Sequence, residues 1–354
     1  MKKFLSLILA LVMTCSLVAC GGAKEEAPAK TETKTEAPAK TETKTEAPAA
    51  NDFTIDLKLG HGNPTEHAIH IYTQQWADAV AEATDGRINI TIYPAGQLGS
   101  LVEMLEAIEY GTLDMTLGDT SLLSNTVPSI GLFCLPFLVD NYDTAAKLYD
   151  GEVGQAIGQE MIDTAGIRPL GWYWNGFRQI LTRTPITTIA DCANIKARSP
   201  EADLYMDMFN LLNMKPTPLP WGDTYTAVES GVVDGLETTT EAACTGGYHK
   251  LTGNVTISNH MISVVGPVIS ESIWQKIPAE DQKLMMDLLN EAIAAQRAEI
   301  SDREAEYIET MSAEANVTYF EKPEELVELF TPYWSEYAEE NGCSEILDMI
   351  MDVK

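Results

Sequence analysis

Few residues in this sequence have the type and the setting to act on a small molecule, and Arg198 leads them. It ends the segment Ile195-Lys196-Ala197-Arg198, which reads as a strand, and Ser199-Pro200 follows as an N-cap and a first-turn proline. A guanidinium at that point offers a planar fork of donors matched to a carboxylate, where ligands of α/β sheets commonly bind. A surface ion pair is the plainer use of the same residue. Lys196 shares its strand face by the two-residue period and is the second cation available. Trp172 and Trp174 also share a face, either as core or as a stacking wall. His67 and His70 lie three apart near His61, but these imidazoles do not guarantee enough ligands at suitable geometry, and no metal is expected. Glu103 is open to two readings: a ligand contact, or a helix-end carboxylate in a capping box with Ser100.

The motifs of catalysis are missing, with no G-x-S-x-G elbow, no H-E-x-x-H and no phosphate-cradling glycine loop. Cys134, Cys192, Cys244 and Cys343 are far apart without C-x-x-C spacing and read as buried small hydrophobes, with one disulfide left open. Neither an enzyme nor a cofactor is expected. Residues 51–354 hold 16 Lys plus Arg against 47 Asp plus Glu, a net charge of −31. That field repels nucleic acid, and it means that an anionic ligand must be met locally by one of the few arginines.

The elements that must position these groups alternate. Phe53, Ile55, Leu57 and Leu59 fall on one strand face; Ile69, Tyr72, Trp76, Ala79 and Ala83 recur at helical spacing, and Asp85-Gly86 stops that helix. Ile88, Ile90 and Ile92 alternate again, and a helix from Ser100 closes at Gly111. This order implies a parallel sheet in an α/β fold. A second unit begins near Trp172, with strands over 169–174 and 195–199, a helix striped by Leu204, Met208 and Leu211, and a short helix over 223–230. Val264–Ser270 reads as a strand returning to the first unit. From Pro278 to about Glu314 no Pro or Gly interrupts, so one helix on the order of 50 Å long is expected, with a break near Ser301-Asp302 as the alternative.

At the other end, Lys2 and Lys3 precede an apolar run, Phe4 to Ala19, too short for a comfortable membrane span. The stop Leu17-Val18-Ala19-Cys20-Gly21 resembles the bacterial lipobox, which implies a signal peptide over 1–20 and lipid attachment at Cys20. Residues 21–50 repeat APAKTETKTE and have almost nothing to bury, so they read as a disordered tether.

Several segments together resemble one family, the DctP-type solute-binding subunits of tripartite ATP-independent periplasmic (TRAP) transporters. They are Pro94-Ala95-Gly96-Gln97-Leu98-Gly99, Leu135-Pro136-Phe137, Gly176-Phe177-Arg178, Ile195-Lys196-Ala197-Arg198, Tyr225-Thr226-Ala227 with Gly231-Val232-Val233-Asp234-Gly235-Leu236-Glu237, and Asn259-His260. The resemblance covers nearly all of residues 53–340. It implies a two-lobed periplasmic-binding-protein-like fold with discontinuous lobes and a long helix spanning both. Lobe I would be 53–175 plus about 265–303, and lobe II about 176–264 plus about 304–340.

The resemblance also implies that Arg198 makes the ligand salt bridge and that Arg178 orients or supports the carboxylate. Trp174, Asn175, Glu103 and His67 complete the expected ligand-binding set. Where many members carry Glu-Asn, this chain has Glu237-Thr238, so Thr238 would give one hydroxyl bond where an amide gives a pair. A small organic acid would be delivered to two integral-membrane subunits, with transport driven by a sodium gradient, from the outer face of the membrane. A monomer is expected. Dicarboxylates, sugar acids, aromatic acids and 2-oxo acids all satisfy one arginine fork. The same fold would serve a surface sensor signalling to a receptor kinase; a secreted hydrolase is the third class, disfavoured by the missing motifs.

Replacing Cys20 with Ser should abolish metabolic labelling of the protein by a fatty acid and stop processing at that position. Labelling that persists in the variant would rule out Cys20 as the attachment point.

Overall fold

Alternating polar and apolar residues make Ile55–Gly60 a strand, β1, with Leu57 and Leu59 buried and Asp56 and Lys58 exposed. The computed structural model describes residues 52–354; the signal segment with Cys20 and the 21–50 tether lie outside the described residues. β1 pairs in parallel with β2 (Ile88–Tyr93) on one side and β3 (Met115–Asp119) on the other. The crossover from β1 to β2 is the helix Ala68–Ala83. Its buried stripe runs Ile69, Tyr72, Trp76 and Val80, leaving Ala83 exposed, because the turn after Trp76 continues at the fourth residue rather than the third. Asp85 and Gly86 end it with positive φ angles. The helix Leu101–Glu109 starts on a full capping box: Glu103 N–H donates to Ser100 Oγ, and Ser100 N–H to Glu103 Oε2 at 2.7 Å.

The remaining strands are β4 (Ile167–Pro169), β5 (Tyr173–Thr182), β6 (Lys196–Ser199), β7 (Lys215–Pro218), β8 (Gly235–Thr239), β9 (Asn254–Ile257), β10 (Ile262–Ser270) and β11 (Asn316–Tyr319). The main path across the sheet is β2-β1-β3-β10-β5-β8-β6-β7. β5 and β10 join its two ends. The first half of β5 pairs antiparallel with β10, and its second half with β8 and β9. β10 continues antiparallel along β3, so it is the return strand read from 264–270. All described residues fall within one compact unit.

Two local expectations change. The strand expected over 169–174 is interrupted: Pro169 closes β4, residues 170–172 lie between, and Tyr173 and Trp174 open β5. The helix expected to start at Ser199-Pro200 starts at Asp203 instead, with Ala202 at its N-cap. Ser199 stays extended because it pairs with Pro218 in the β6-β7 register and its carbonyl accepts from Leu219 N–H.

The helix Ala279–Glu314 is one unbroken run of 36 residues, with no break near Ser301. Its buried face carries Met285, Leu289, Ile293 and Ile300, and also three polar residues: Asp281, which meets Arg87, Gln296 and Glu304. Gln296 and Glu304 both hold β5. Trp174 N–H donates to Gln296 Oε1 at 3.0 Å and Gln296 Nε2 donates to the Trp174 carbonyl at 2.6 Å. Phe177 N–H donates to Glu304 Oε1 at 2.6 Å, and the Tyr142 hydroxyl donates to Oε2 at 2.8 Å. Between these clamps the β5-β10 register slips at Ser263/Val264, and Gly176 adopts a φ of +100°. A Cβ there would stand 2.8 Å from Glu304 Oε1, so glycine is required twice over, by conformation and by space.

At the far end the helix Pro323–Glu340 touches chain from both sides of the crossing strands. Trp334 Nε1 donates to Pro136 O, Tyr337 hydroxyl to Pro128 O and Tyr333 hydroxyl to Asp207. One large apolar cluster accompanies it, holding residues from Met104 to Ile350. A second cluster sits between the first sheet segment and the start of the long helix, and a third lies around Leu236 and Val255. Among the described residues no helix is long and apolar enough to cross a membrane.

Candidate functional site

A cleft with about 780 Å³ of empty space, partly open to solvent, lies where the ends of β3, β6 and β8 meet the crossing strand β5. Arg198, Arg178, Thr238, Asn175 and His67 all line it. So do His61, Asp119 and Trp221, which sequence reasoning did not place there. The signal for Asp119 was the one used for Arg198, a charged residue at the end of a strand.

The two arginines are equally buried, at 5% and 4% exposure, yet they live in different electrical settings. Arg178 on β5 meets Glu237 on β8 through one guanidinium edge in a two-bond fork: Nε donates to Oε2 and Nη2 to Oε1. Its Nη1 donates to Ser263 Oγ at 3.3 Å, and its guanidinium lies 5.0 Å from the Tyr205 ring centroid. Burial opposes the charge on Arg178, but the facing carboxylate outweighs it and holds the pKa above the ordinary value. Burial likewise opposes ionisation of Glu237, and Arg178 overrides it, bringing the carboxyl down to about 2. His260 Nε2 stands 3.5 Å from Glu237 Oε2, beyond good hydrogen-bond length, and its Nδ1 meets Ser258 Oγ at 2.8 Å.

Arg198 has no such partner. Nε and Nη2 both donate to the Leu219 carbonyl, at 3.0 and 2.8 Å, and the Trp221 ring centroid lies 5.5 Å away. Among the described residues it makes no ion pair, and burial pulls its pKa down to about 10. Fixed by a carbonyl on one edge and open toward the cleft, this guanidinium is arranged to accept an anion.

Around it stand neutral and acceptor groups. Asn175 Nδ2 donates to Ser263 Oγ at 3.1 Å, while its Oδ1 is buried without a partner. Asp119 Oδ1 accepts from Ser121 N–H and hydroxyl. His61 lies between Asn63 N–H, which donates to its Nδ1, and His70, 3.0 Å from its Nε2. Burial, with His70 beside it, brings His61 down to about 3, so it stays neutral. His67 Nδ1 caps the helix Ala68–Ala83 by accepting from Ile69 N–H, and burial lowers its pKa as well. No group of three or more His, Cys, Asp or Glu among the described residues could hold a metal ion.

Two expected contacts fall elsewhere. Trp174 is turned away from the cleft into an aromatic cluster, stacked on Tyr142 and with the Arg297 guanidinium 3.7 Å from its ring centroid. Residue 174 faces opposite to Asn175 by the strand period, so only one of the two could line the cleft. The Glu103 carboxylate is consumed by the Ser100 cap and does not reach the lining. Lys196 is exposed on the outer end of β6.

A model of the family described as bacterial extracellular solute-binding protein, family 7 (DctP), matches residues 59–341. The chain belongs to this family. A solute-binding protein of Roseobacter denitrificans is 28% identical over 268 residues, 73% of this chain and 82% of that one. A TRAP periplasmic solute-binding protein from a Bradyrhizobium species, in complex with α/β-D-galacturonate, superposes with a TM-score of 0.79 at 26% identity, covering 84% of this chain and all of that one (100%). Another from a Polaromonas species, bound to D-erythronate, gives 0.78 at 27% identity over 83% and 98% of the two chains. The two-lobed α/β fold is thus that of the TRAP solute-binding proteins. This DctP-type protein binds solute outside the cytoplasm and is not an enzyme.

Replacing Glu237 with Gln tests the buried pair. At neutral pH the variant should lose about 3–5 kcal/mol of stability, because Arg178 would stay buried without its anion. The Glu237 carboxyl titrates lower in the folded protein than unfolded, where its ordinary value is 4.5, so its contribution is full above that value and fades as pH falls toward about 2. Urea denaturation of both proteins should therefore show the gap narrowing below the ordinary carboxyl range. A gap that does not change with pH would mean that Glu237 is not held ionised by Arg178.

Proposed function

We propose that this protein captures a small organic acid whose carboxylate is seated on Arg198, and passes it to the integral-membrane subunits of a TRAP-type transporter. One observation carries the reading: Arg198 is buried in the cleft with only a carbonyl and a ring for company. A desolvated cation of that kind needs a charged partner, and in a binding protein that partner is the ligand. The Bradyrhizobium and Polaromonas relatives, whose ligands are both acids, support the choice of a carboxylate. In this reading Arg178 supports rather than grips, because Glu237 occupies its fork and it reaches Asn175 only through Ser263. Thr238 adds a hydroxyl from the neighbouring strand.

The division into lobe I (53–175 with about 265–303) and lobe II (about 176–264 with about 304–340) belongs to the same proposal, as does anchoring to the membrane through Cys20. The cleft lies between β3 of the first and β6 and β8 of the second, and β5 and β10 cross between them. Ligand would therefore draw the lobes together about those strands.

A thermal-shift screen against organic acids supplies the probe, since a ligand that binds only the folded state raises stability. Calorimetry with the acid so found should show Arg198→Ala weakened by roughly 30-fold or more, the effect of stripping one partner from a desolvated charge pair. Arg198→Lys should recover part of the loss, keeping the charge without the planar fork. Near-native affinity in Arg198→Ala would place the carboxylate elsewhere. Small-angle scattering on the wild-type protein should show a smaller radius of gyration with the acid bound; an unchanged radius would remove the closure.

A further inference from the structure

We infer that the cleft selects a polyhydroxylated monocarboxylic acid over dicarboxylates and over acids without hydroxyl groups, with Asp119 and Asn175 taking the ligand's hydroxyls. The inference rests on the carboxylate seat at Arg198 and adds what surrounds it.

Charge comes first. The ionisable groups of clear sign on the cleft wall are Arg178, Arg198, Asp119 and Glu201. The charge of Arg178 is matched by the carboxylate of Glu237, which takes its Nε/Nη2 edge in a two-bond fork. One cation is left, and it can compensate one carboxylate. A second carboxylate would find no further positive group, because His61 has both ring nitrogens engaged and His67 has Nδ1 on its own helix and Nε2 directed to Glu241 at 3.7 Å. Burial keeps both imidazoles on the neutral side. The second carboxylate would instead meet Asp119 and Glu201 in a partly desolvated space, where like charges repel strongly.

Hydrogen bonding then separates the acids that carry one charge. Asn175 Oδ1 is buried with no donor, its amide nitrogen being committed to Ser263. Asp119 has Oδ1 engaged by Ser121, while its Oδ2 takes no hydrogen bond from the described residues. Two acceptors in one cleft call for donors on the ligand. A 2-oxo acid or a simple aromatic acid has none to give beside its carboxylate. A sugar acid offers several hydroxyls in fixed directions, and a hydroxyl donating to a carboxylate such as Asp119 makes a charge-assisted bond.

The experiment is calorimetry of the wild-type domain with D-galacturonate, D-glucuronate, D-gluconate and D-erythronate on one side, and succinate, pyruvate and benzoate on the other. At least one hydroxy acid should bind tenfold or more tightly than any of the second group. Asp119→Asn keeps an oxygen to cap the short turn at Thr120, so the fold should hold. It should weaken the preferred hydroxy acid by about tenfold, the loss expected when a charged acceptor becomes a neutral one, and leave succinate no weaker than before. Succinate, pyruvate or benzoate binding more tightly than every hydroxy acid would overturn this inference and leave the Arg198 seat standing. Full hydroxy-acid affinity in Asp119→Asn would overturn the role given to Asp119. Binding of no acid at all would overturn the carboxylate reading itself.

Discussion

Moving a guanidinium out of water is costly unless an anion accompanies it, and in this cleft that cost is left standing on one residue. Arg178 and Arg198 are almost equally buried. Glu237 lies opposite the first and out of bonding reach of the second, and this asymmetry sets everything the cleft can do. A Glu237 shared between both arginines would leave the same single net positive charge, but spread over two half-matched groups. A Glu237 replaced by a neutral residue would leave two, enough for a dianion. As built, one arginine and its glutamate form a neutral scaffold, and the other remains a single positive point facing the space where a ligand would sit.

What keeps Glu237 on Arg178 is strand register. Across β5 and β8, Ile180 pairs with Glu237 and Arg178 with Thr239, so Arg178 and Glu237 stand on one face, a diagonal apart and within reach of a long side chain. That register would drift if β5 were free to slide past its irregular junction with β10. The long helix prevents it. Gln296 replaces a sheet partner at Trp174, and Glu304 does the same at Phe177, on either side of the Asn175-Gly176 step. Gln296 and Glu304 are polar residues on the buried face of a mostly apolar helix, and such residues are costly unless satisfied. Here each satisfies backbone groups that the slipped ladder leaves over. Burial raises the Glu304 pKa, and its bonds from Tyr142 and Phe177 work against that.

Much of this could be read from sequence, and what could not has physical causes. The alternation in β1 and β2, the Ser100 cap, the return strand and the unbroken long helix all depend on residues within a few positions of one another, where periodicity and capping act. Ser199-Pro200 misled because its local signal is sound, yet the pairing of Ser199 with Pro218 outweighs it. Trp174 misled because a strand face can be assigned by parity only after its neighbour's face is known. The placement of Arg198 at a strand end carried over to the cleft. The commitment of Arg178 to Glu237 could not be read at all, since it depends on the register between segments nearly sixty residues apart.

A domain with 47 acidic residues against 16 basic ones repels an acid at long range, and the resolution lies in distance. Surface carboxylates act on an approaching anion through water and salt, which damp them beyond about 8 Å at physiological ionic strength. In the proposed seat Arg198 would act at contact and from a site with little solvent, where the same charge counts several times more. The far field therefore lowers the rate at which anions arrive more than it lowers the affinity once one is seated. It also raises the penalty for any ligand that brings a second negative charge past Asp119 and Glu201. The acidity of the domain and the solitary arginine thus act in the same direction: together they favour an acid that carries one charge and spends the rest of its surface on hydrogen bonds.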